Sequence, residues 1–411
     1  MAVGNVSIAN ITNDLKITYA KRLEILAYTK RPLLGMIPKV TEFNGRSYNQ
    51  AIRNAAMQGR SAAFATAQAN RGANVYNEFT VPRTKNYAIF RIDGEVLAAG
   101  KGDGAYADAL ADSIEGAIEV ISNDMATNIY RSASGTRGVR GSLTAPTVLQ
   151  LDTIEDVVNF EVFMEVGASA TNGGGAARVG TATITAIDRD AGTLTTDGAG
   201  WAAQIAAFAD SDFLFTAGDY DLKMQGMDSW VPQDRTGLAV AFNGVTRSTD
   251  PTRLAGMTFD GGGGAIETTL NNAVGRAARL GCGTLDTAFF NPVDMQDLVN
   301  ALTNRIREPR TTTKKASMVG KAEIGYEGVV VTTPMGTTIE CFADPFAPKG
   351  IVRLLTLDSW MLKTAGKAPD FLMFDDNKIL RTGDEDSYEG RLGYYGNVVC
   401  KRPGDNMVVT L

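Results

Sequence analysis

The sequence contains no histidine. That absence removes Ser-His-Asp and Cys-His catalysis, every metal site built on imidazole, and the usual general base working near neutral pH. Enzymes without histidine rely chiefly on carboxylate pairs or on lysine and tyrosine. A carboxylate-pair, polysaccharide-degrading enzyme is therefore kept as the weaker alternative to a non-enzymatic protein. Cysteine is scarce and odd in number: Cys282, Cys341 and Cys400 are widely spaced, which fits buried free thiols in a reducing compartment rather than a disulfide framework or a zinc site. No apolar run approaches the roughly 18–20 residues of a membrane span, and the opening MAVGNVSIAN lacks the basic-then-apolar layout of a signal peptide. The expectation is a chain folded in a cytoplasm, with no metal, no cofactor and no membrane partner.

With 411 residues, 44% of them hydrophobic, the chain is long enough for two to four domain-sized units. Its 44 glycines point to turns and tight strand connections rather than to a helical bundle. The net charge of −6 is unevenly placed: residues 1–86 carry twelve Lys/Arg against four Asp/Glu, a balance of +8 that leaves −14 on the remainder. A basic N-terminal fifth on an acidic body fits a segment that docks on acidic surfaces, its own copies included; a mixed solvated surface is the plainer reading. Overall acidity opposes duplex DNA binding as a main function.

Residues 1–40 open with a polar arm, followed by Leu15, Tyr19, Leu23 and Leu26 at helical spacing up to Pro32. From 41 to 97, strand-type sequence brackets the run AAMQGRSAAFATAQANRGAN (55–74), whose only large apolar side chains are Met57 and Phe64. Such a run buries too little to offset about 1–2 kcal/mol per residue of ordering entropy. The stretch reads as a long two-stranded excursion with a mobile tip. In residues 103–131, Leu110, Ile114, Ile118, Ile121, Met125 and Ile129 form one apolar stripe, and Asp108, Asp112, Glu115, Glu119 and Asp124 fall mostly away from it. The spacing predicts a helix packed across a sheet, with a coiled coil as the alternative.

A Gly/Ser/Arg-rich turn is expected at Ser132–Ser142. Beyond it, Thr181, Thr183 and Thr185 alternate with Ala182, Ile184 and Ala186, the period of a half-buried strand, and DRDAG at 188–192 has hairpin chemistry. Residues 154–222 thus read as a small antiparallel barrel or sandwich. Mixed α/β sequence resumes near 226, with a helix over 267–280, a strand–Pro–helix unit at TAFFNPVDMQDLVNAL, strands at GVVVTT and TIECFAD, and a terminal hairpin or strand pair.

The candidate chemical motifs are weak. GEVLAAGKG (94–102) misses the phosphate-loop spacing and reads as a hinge. DGGGGAIETTLNN (260–272) has glycines before a helix but follows no clear strand, and reads as a flexible loop. DRDAGT and DGAGW lack calcium-loop spacing. DEDSYEGR (384–391) clusters carboxylates as a solvated turn would, and NRIREPRTTTKK (304–315) reads as a mobile basic surface loop.

The order of parts, from basic arm through polar β excursion and very long helix to an α/β body closed by β sequence, resembles the major capsid proteins of tailed bacteriophages, the Hong-Kong-97-type fold. FFNPVDMQDLVNAL and SYEGRLGYYGNVVCKRPGDNMVVTL look like the family's axial strand–Pro–helix unit and its terminal strands. The resemblance implies an α+β fold with N-terminal arm (1–40), extended loop (41–97), peripheral domain with spine helix (98–153), β insertion domain (154–225), axial domain (226–383) and C-terminal strands returning to the peripheral domain (384–411). It implies a self-assembling icosahedral shell of hexamers and pentamers in a virion, assembled in host cytoplasm. The packaged double-stranded DNA is held without sequence specificity, and portal, scaffold and decoration proteins are the further partners. An encapsulin-like nanocompartment shell is the alternative within the same fold.

Some members weld neighbouring subunits through a lysine on the extended loop. Here no lysine occurs between Lys39 and Lys85, so non-covalent contacts are expected, with Met57 and Phe64 as apolar anchors and Arg60 and Arg71 facing acidic groups of a neighbour. The sequence begins almost directly with the arm, from which a separate rather than a fused scaffold is expected.

Overall fold

A computed structural model describes residues 30–95, 105–281, 285–303, 310–317, 323–333, 338–373, 379–381 and 385–411. The arm helix around Leu15–Leu26, most of the 94–102 hinge and Cys282 lie outside the described residues.

The organising strand is Ser387–Cys400. Its first ten residues pair antiparallel with the whole of Thr84–Asp93, from Ser387 opposite Asp93 to Gly396 opposite Thr84. It also takes Trp360–Thr364, Asp370–Phe371 and Ile379–Arg381, and Lys39–Val40 completes a six-stranded sheet. Across this sheet lies the 26-residue helix Ala105–Tyr130, about 39 Å long. The stripe read from sequence is what it buries: Ile114, Ile118, Ile121, Met125 and Ile129 share one core with Phe90, Ile92, Leu392 and Tyr394. Packing on a sheet, not on a second helix, explains the narrow stripe.

A seven-stranded sheet runs in the order Met257–Asp260, Met407–Thr410, Ile351–Leu355, Thr287–Phe290, Thr338–Ala343, Glu323–Thr332, Arg310–Ser317. Strand alternation sends adjacent side chains to opposite faces. Phe289 faces the core of the long helix, and Phe290 faces the layer formed by helices Ile266–Arg279 and Pro292–Thr303. Cys341 and Cys400 are free and wholly buried, and burial pushes both thiols up to about 12.

The third body is a closed six-stranded antiparallel barrel: Phe213–Thr216, Thr136–Ala145, Val148–Leu151, Thr193–Thr196, Ala182–Asp188, Glu165–Ser169, and back to Phe213–Thr216. It has a separate core of Leu149, Leu151, Phe160, Val166, Ile184, Leu194, Trp201 and Leu214.

Four sequence expectations need correction. The supposed turn at Ser132–Ser142 is largely the first barrel strand, so the barrel starts at Thr136, ahead of the expected residue 154. Its glycines serve close packing: a Cβ on Gly138 would stand 3.1 Å from the Phe160 ring. The two C-terminal strands do not form a hairpin. A single 3-10 turn at Pro403–Asp405 separates them, and Met407–Thr410 joins the seven-stranded sheet between Met257–Asp260 and Ile351–Leu355. Only Ser387–Cys400 stays with the long helix. Residues 310–317 of the basic segment form an edge strand paired with Glu323–Thr332 rather than a loop. The 261–264 glycines do follow a strand, Met257–Asp260.

Asp344, 1% exposed, ties three elements together. It accepts from the N–H groups of Leu33 (3.2 Å) and Phe346 (3.0 Å) and from the Tyr130 hydroxyl (2.9 Å). Burial pushes its carboxyl up to about 6, against the lowering effect of these donors and Arg31. The native carboxyl therefore holds its proton more tightly than the unfolded one, whose ordinary value is 3.8. The stability this gives is fully present below pH 3.8 and is lost as pH rises through about 6. Unfolding free energies from urea titrations between pH 4 and 7 should move in favour of Asp344→Asn, relative to wild type, by up to about 3 kcal/mol. Parallel pH profiles for the two proteins would contradict this.

Candidate assembly surface

Strands Ser47–Ala55 and Val75–Pro82 pair antiparallel, from Ser47 opposite Pro82 to Ala55 opposite Val75, as a two-stranded ribbon outside both large sheets. Its base is well held. Ile52, Phe79 and Val81 are buried, and the Phe79 ring lies 5.3 Å from Trp230 and 6.1 Å from Phe242. Thr80 N–H donates to the Asn243 carbonyl at 2.9 Å, and nearer the far end Arg253 Nη1 donates to the Asn54 carbonyl at 2.8 Å.

The far end is different in kind. A short helix, Phe64–Ala69, forms within the polar run, where sequence offered no regular element. The tip closes on itself locally: Met57 N–H donates to Asn74 Oδ1 at 3.0 Å, and a Cβ on Gly59 would stand 3.1 Å from Arg71 Cα. Met57 is 66% and Phe64 81% exposed, and Val75 and Tyr76 are exposed beside them. Arg60 and Arg71 are exposed as well, and neither has an ion-pair partner among the described residues. Arg46, Arg53, Arg60 and Arg71 are the charges between residues 43 and 77, where no carboxylate occurs. The four residues singled out from sequence thus share one solvent-facing, positively charged tip.

A second surface was not legible in sequence. The long helix, strand Thr84–Asp93 and the barrel segment 158–165 enclose a groove of about 670 Å³. Exposed Tyr87, Val120, Val162 and Phe163 line it with Glu119, Glu161 and Glu165. Glu161 is shared with Arg189 at 2.9 Å. Phe163 is 83% exposed and sits at φ 70°, a left-handed conformation that is costly for an aromatic residue. Nothing in the local sequence NFEVFME announces that conformation; it follows from barrel closure, since Phe163 N–H donates to the Ile184 carbonyl at 2.8 Å.

The groove floor is a buried charge cluster. Asp124 pairs with Arg137 and, at 3.1 Å, with Lys223, which also reaches Asp219 at 2.8 Å. Burial works to raise the Asp124 carboxyl, yet Arg137 and Lys223 together hold it below the ordinary value. Burial raises Asp219, with Lys223 working in the opposite direction. The cluster joins the long helix to the barrel's first strand and to the segment that leaves the barrel.

The described carboxylates of DEDSYEGR are each paired with an arginine. Glu385 pairs with Arg91, Asp386 with Arg381 at 3.4 Å, and Glu389 with Arg391 at 2.5 Å. Among the described residues no group of three or more Cys, Asp or Glu side chains is arranged to hold a metal ion, and no helix is long and apolar enough to cross a membrane.

No family model matches the sequence, and no curated relative matches it. Solved structures do. The capsid asymmetric unit of cyanophage A-1(L) aligns over 93% of this chain and 93% of its own at 11% identity, with a TM-score of 0.52. The holo-SrpI encapsulin of Synechococcus elongatus PCC 7942 aligns over 93% of this chain and 87% of its own at 8% identity, with a TM-score of 0.47. The satellite phage P4 procapsid aligns over 95% and 98% at 9% identity, with a TM-score of 0.39. At a TM-score of 0.52 the chain shares the fold of the cyanophage capsid protein.

Proposed function

We propose that this protein is the major capsid protein of a tailed phage, a structural subunit whose copies close into an icosahedral head around double-stranded DNA. The observation that carries the reading is the ribbon. Its base is fixed in the core, and its charged, apolar-tipped end finds no cover among the described residues. Capsid-fold likeness over nearly the whole chain supports it. On this reading the long helix is the spine of a peripheral domain, and the barrel is an inserted domain. The seven-stranded sheet with its two helices is the axial domain, and residues 1–40 are the arm. Partners are other copies in hexamers and pentamers, the packaged DNA, and portal, scaffold and decoration proteins.

The groove completes the picture of the contact. Its exposed aromatic and aliphatic rim with Glu119 and Glu165 offers Phe64 and Met57 an apolar seat, and Arg60 and Arg71 an opposite charge, on a second copy. Electron microscopy of the expressed protein tests the function. Large closed particles or hexamer sheets support the phage shell. Small cargo-filled shells would move the protein to the encapsulin-like compartment, and a stable small oligomer would overturn both. The ribbon carries no lysine, so particles boiled in denaturant should run as single chains; a ladder of covalent multimers would refute non-covalent locking between copies.

A further inference from the structure

The groove floor holds an arrangement that shell building does not need. Asn86 lies on strand Thr84–Asp93, Asp124 on the long helix, and Lys223 in the segment leaving the barrel, 137 residues beyond Asn86. Lys223 Nζ donates to Asn86 Oδ1 at 2.9 Å and to Asp124 Oδ2 at 3.1 Å. The same Asp124 Oδ2 accepts from Asn86 Nδ2. Asn86 Oδ1 receives a second bond, from the Tyr87 backbone N–H at 3.1 Å. The Lys223 and Asp124 side chains are 5% and 7% exposed. Arg137 occupies the other Asp124 oxygen, Oδ1.

An amine is therefore held against a carboxamide. One carboxylate oxygen touches both the nitrogen that would attack and the nitrogen that would leave. A backbone N–H points at the oxygen on which negative charge would collect. We propose that Lys223 and Asn86 join in an isopeptide bond within a single chain, with Asp124 as the catalytic residue.

Asp124 takes a proton from the Lys223 ammonium, and the freed electron pair on Nζ attacks Asn86 Cγ. The resulting oxyanion is held by the Tyr87 N–H. Asp124 returns the proton to Nδ2, the Cγ–Nδ2 bond breaks, and ammonia departs through the groove carrying the remaining extra lysine proton as ammonium. One C–N bond forms and one breaks; no oxidant or co-reactant is required. Holding the partners in contact replaces a bimolecular encounter, worth about 10⁵–10⁸ M in effective concentration for well-aligned groups. A plain buried ion-pair network would share every contact but leave the chain's mass unchanged.

The intact mass of the purified, folded full chain decides it, measured after denaturation against Lys223→Arg, which keeps the charge but lacks the primary amine. The wild type should be lighter by one ammonia once the Lys/Arg difference is subtracted. A protease digest should yield a branched peptide joining the Asn86 and Lys223 segments. Asp124→Ala should restore the lost mass; if that variant does not fold, Asn86→Ala in its place must also give the unmodified mass. A folded wild type of full mass overturns the proposal, as does an ammonia deficit that survives in Lys223→Arg. The bond forms inside one chain, so its presence or absence is independent of whether copies close into a shell.

Discussion

Protein carrying Arg60→Glu together with Arg71→Glu is expected to fold as the wild type does and to leave no closed particles on an electron-microscope grid. Both side chains are solvent-facing at the ribbon tip, far from the Phe79–Trp230–Phe242 cluster that fixes the base. Their reversal therefore removes nothing from the core. One exposed ion pair is worth about 0–1 kcal/mol, so a single contact would hardly register. A shell repeats each contact at every neighbour, and reversal turns two attractions per junction into repulsions against Glu119 and Glu165. Salt should weaken wild-type assembly in the same direction, since screening at about 0.1 M acts over roughly 10 Å. Adding Glu119→Arg to the doubly reversed tip should recover particles, which identifies the groove as the receiving surface. Particles at wild-type yield from the doubly reversed protein would dismiss the tip as an assembly element.

Replacing Trp230 by alanine should cost about 3–5 kcal/mol, the range for deleting a fully buried large aromatic side chain. The indole is 0% exposed, lies 5.3 Å from Phe79 and 5.2 Å from Phe242, and donates Nε1–H to the Val398 carbonyl at 3.0 Å. Two losses combine: a cavity opens, and a carbonyl of the organising strand is left without its donor. Trp230→Phe separates them, keeping part of the volume but not the bond, and should fall between. Because Phe79 is the ribbon's anchor, the alanine variant should also admit protease at 47–82 under conditions where wild type resists. Urea unfolding measures the first effect. A change under about 1 kcal/mol would mean that the ring cluster relaxes and that the ribbon base is held elsewhere.

What was legible in sequence is what local pattern controls. The stripe from Ile114 to Ile129 specified the long helix because each of those side chains is buried. Phe289-Phe290-Asn291-Pro292 marked a strand ending where proline starts a helix, and both elements are there. The ribbon could be read because its polar run could not form a core. What escaped depends on distant partners. Met257–Asp260 is a four-residue strand whose place is set by Met407–Thr410, and RTTTKKAS pairs through its backbone with no apolar alternation to announce it. Glycine misled at 138 and 141, where it makes room for the Phe160 ring and the Asp152 backbone rather than a turn. The groove was invisible for the same reason: Asn86, Asp124 and Lys223 are brought together only by the tertiary fold.

The barrel's two connections run side by side. Asp221 N–H donates to the Ser134 carbonyl at 3.2 Å and Lys223 N–H to the Ala133 carbonyl at 3.2 Å, while the barrel's apolar interior is separate from that of the remaining chain. Chain entry and exit thus form a single narrow stalk. The body is held from the side as well: Arg137 of its first strand pairs with Asp124 of the long helix, and Glu155 with Lys349 at 2.6 Å, so a foreign domain placed on the same stalk would have to replace those contacts.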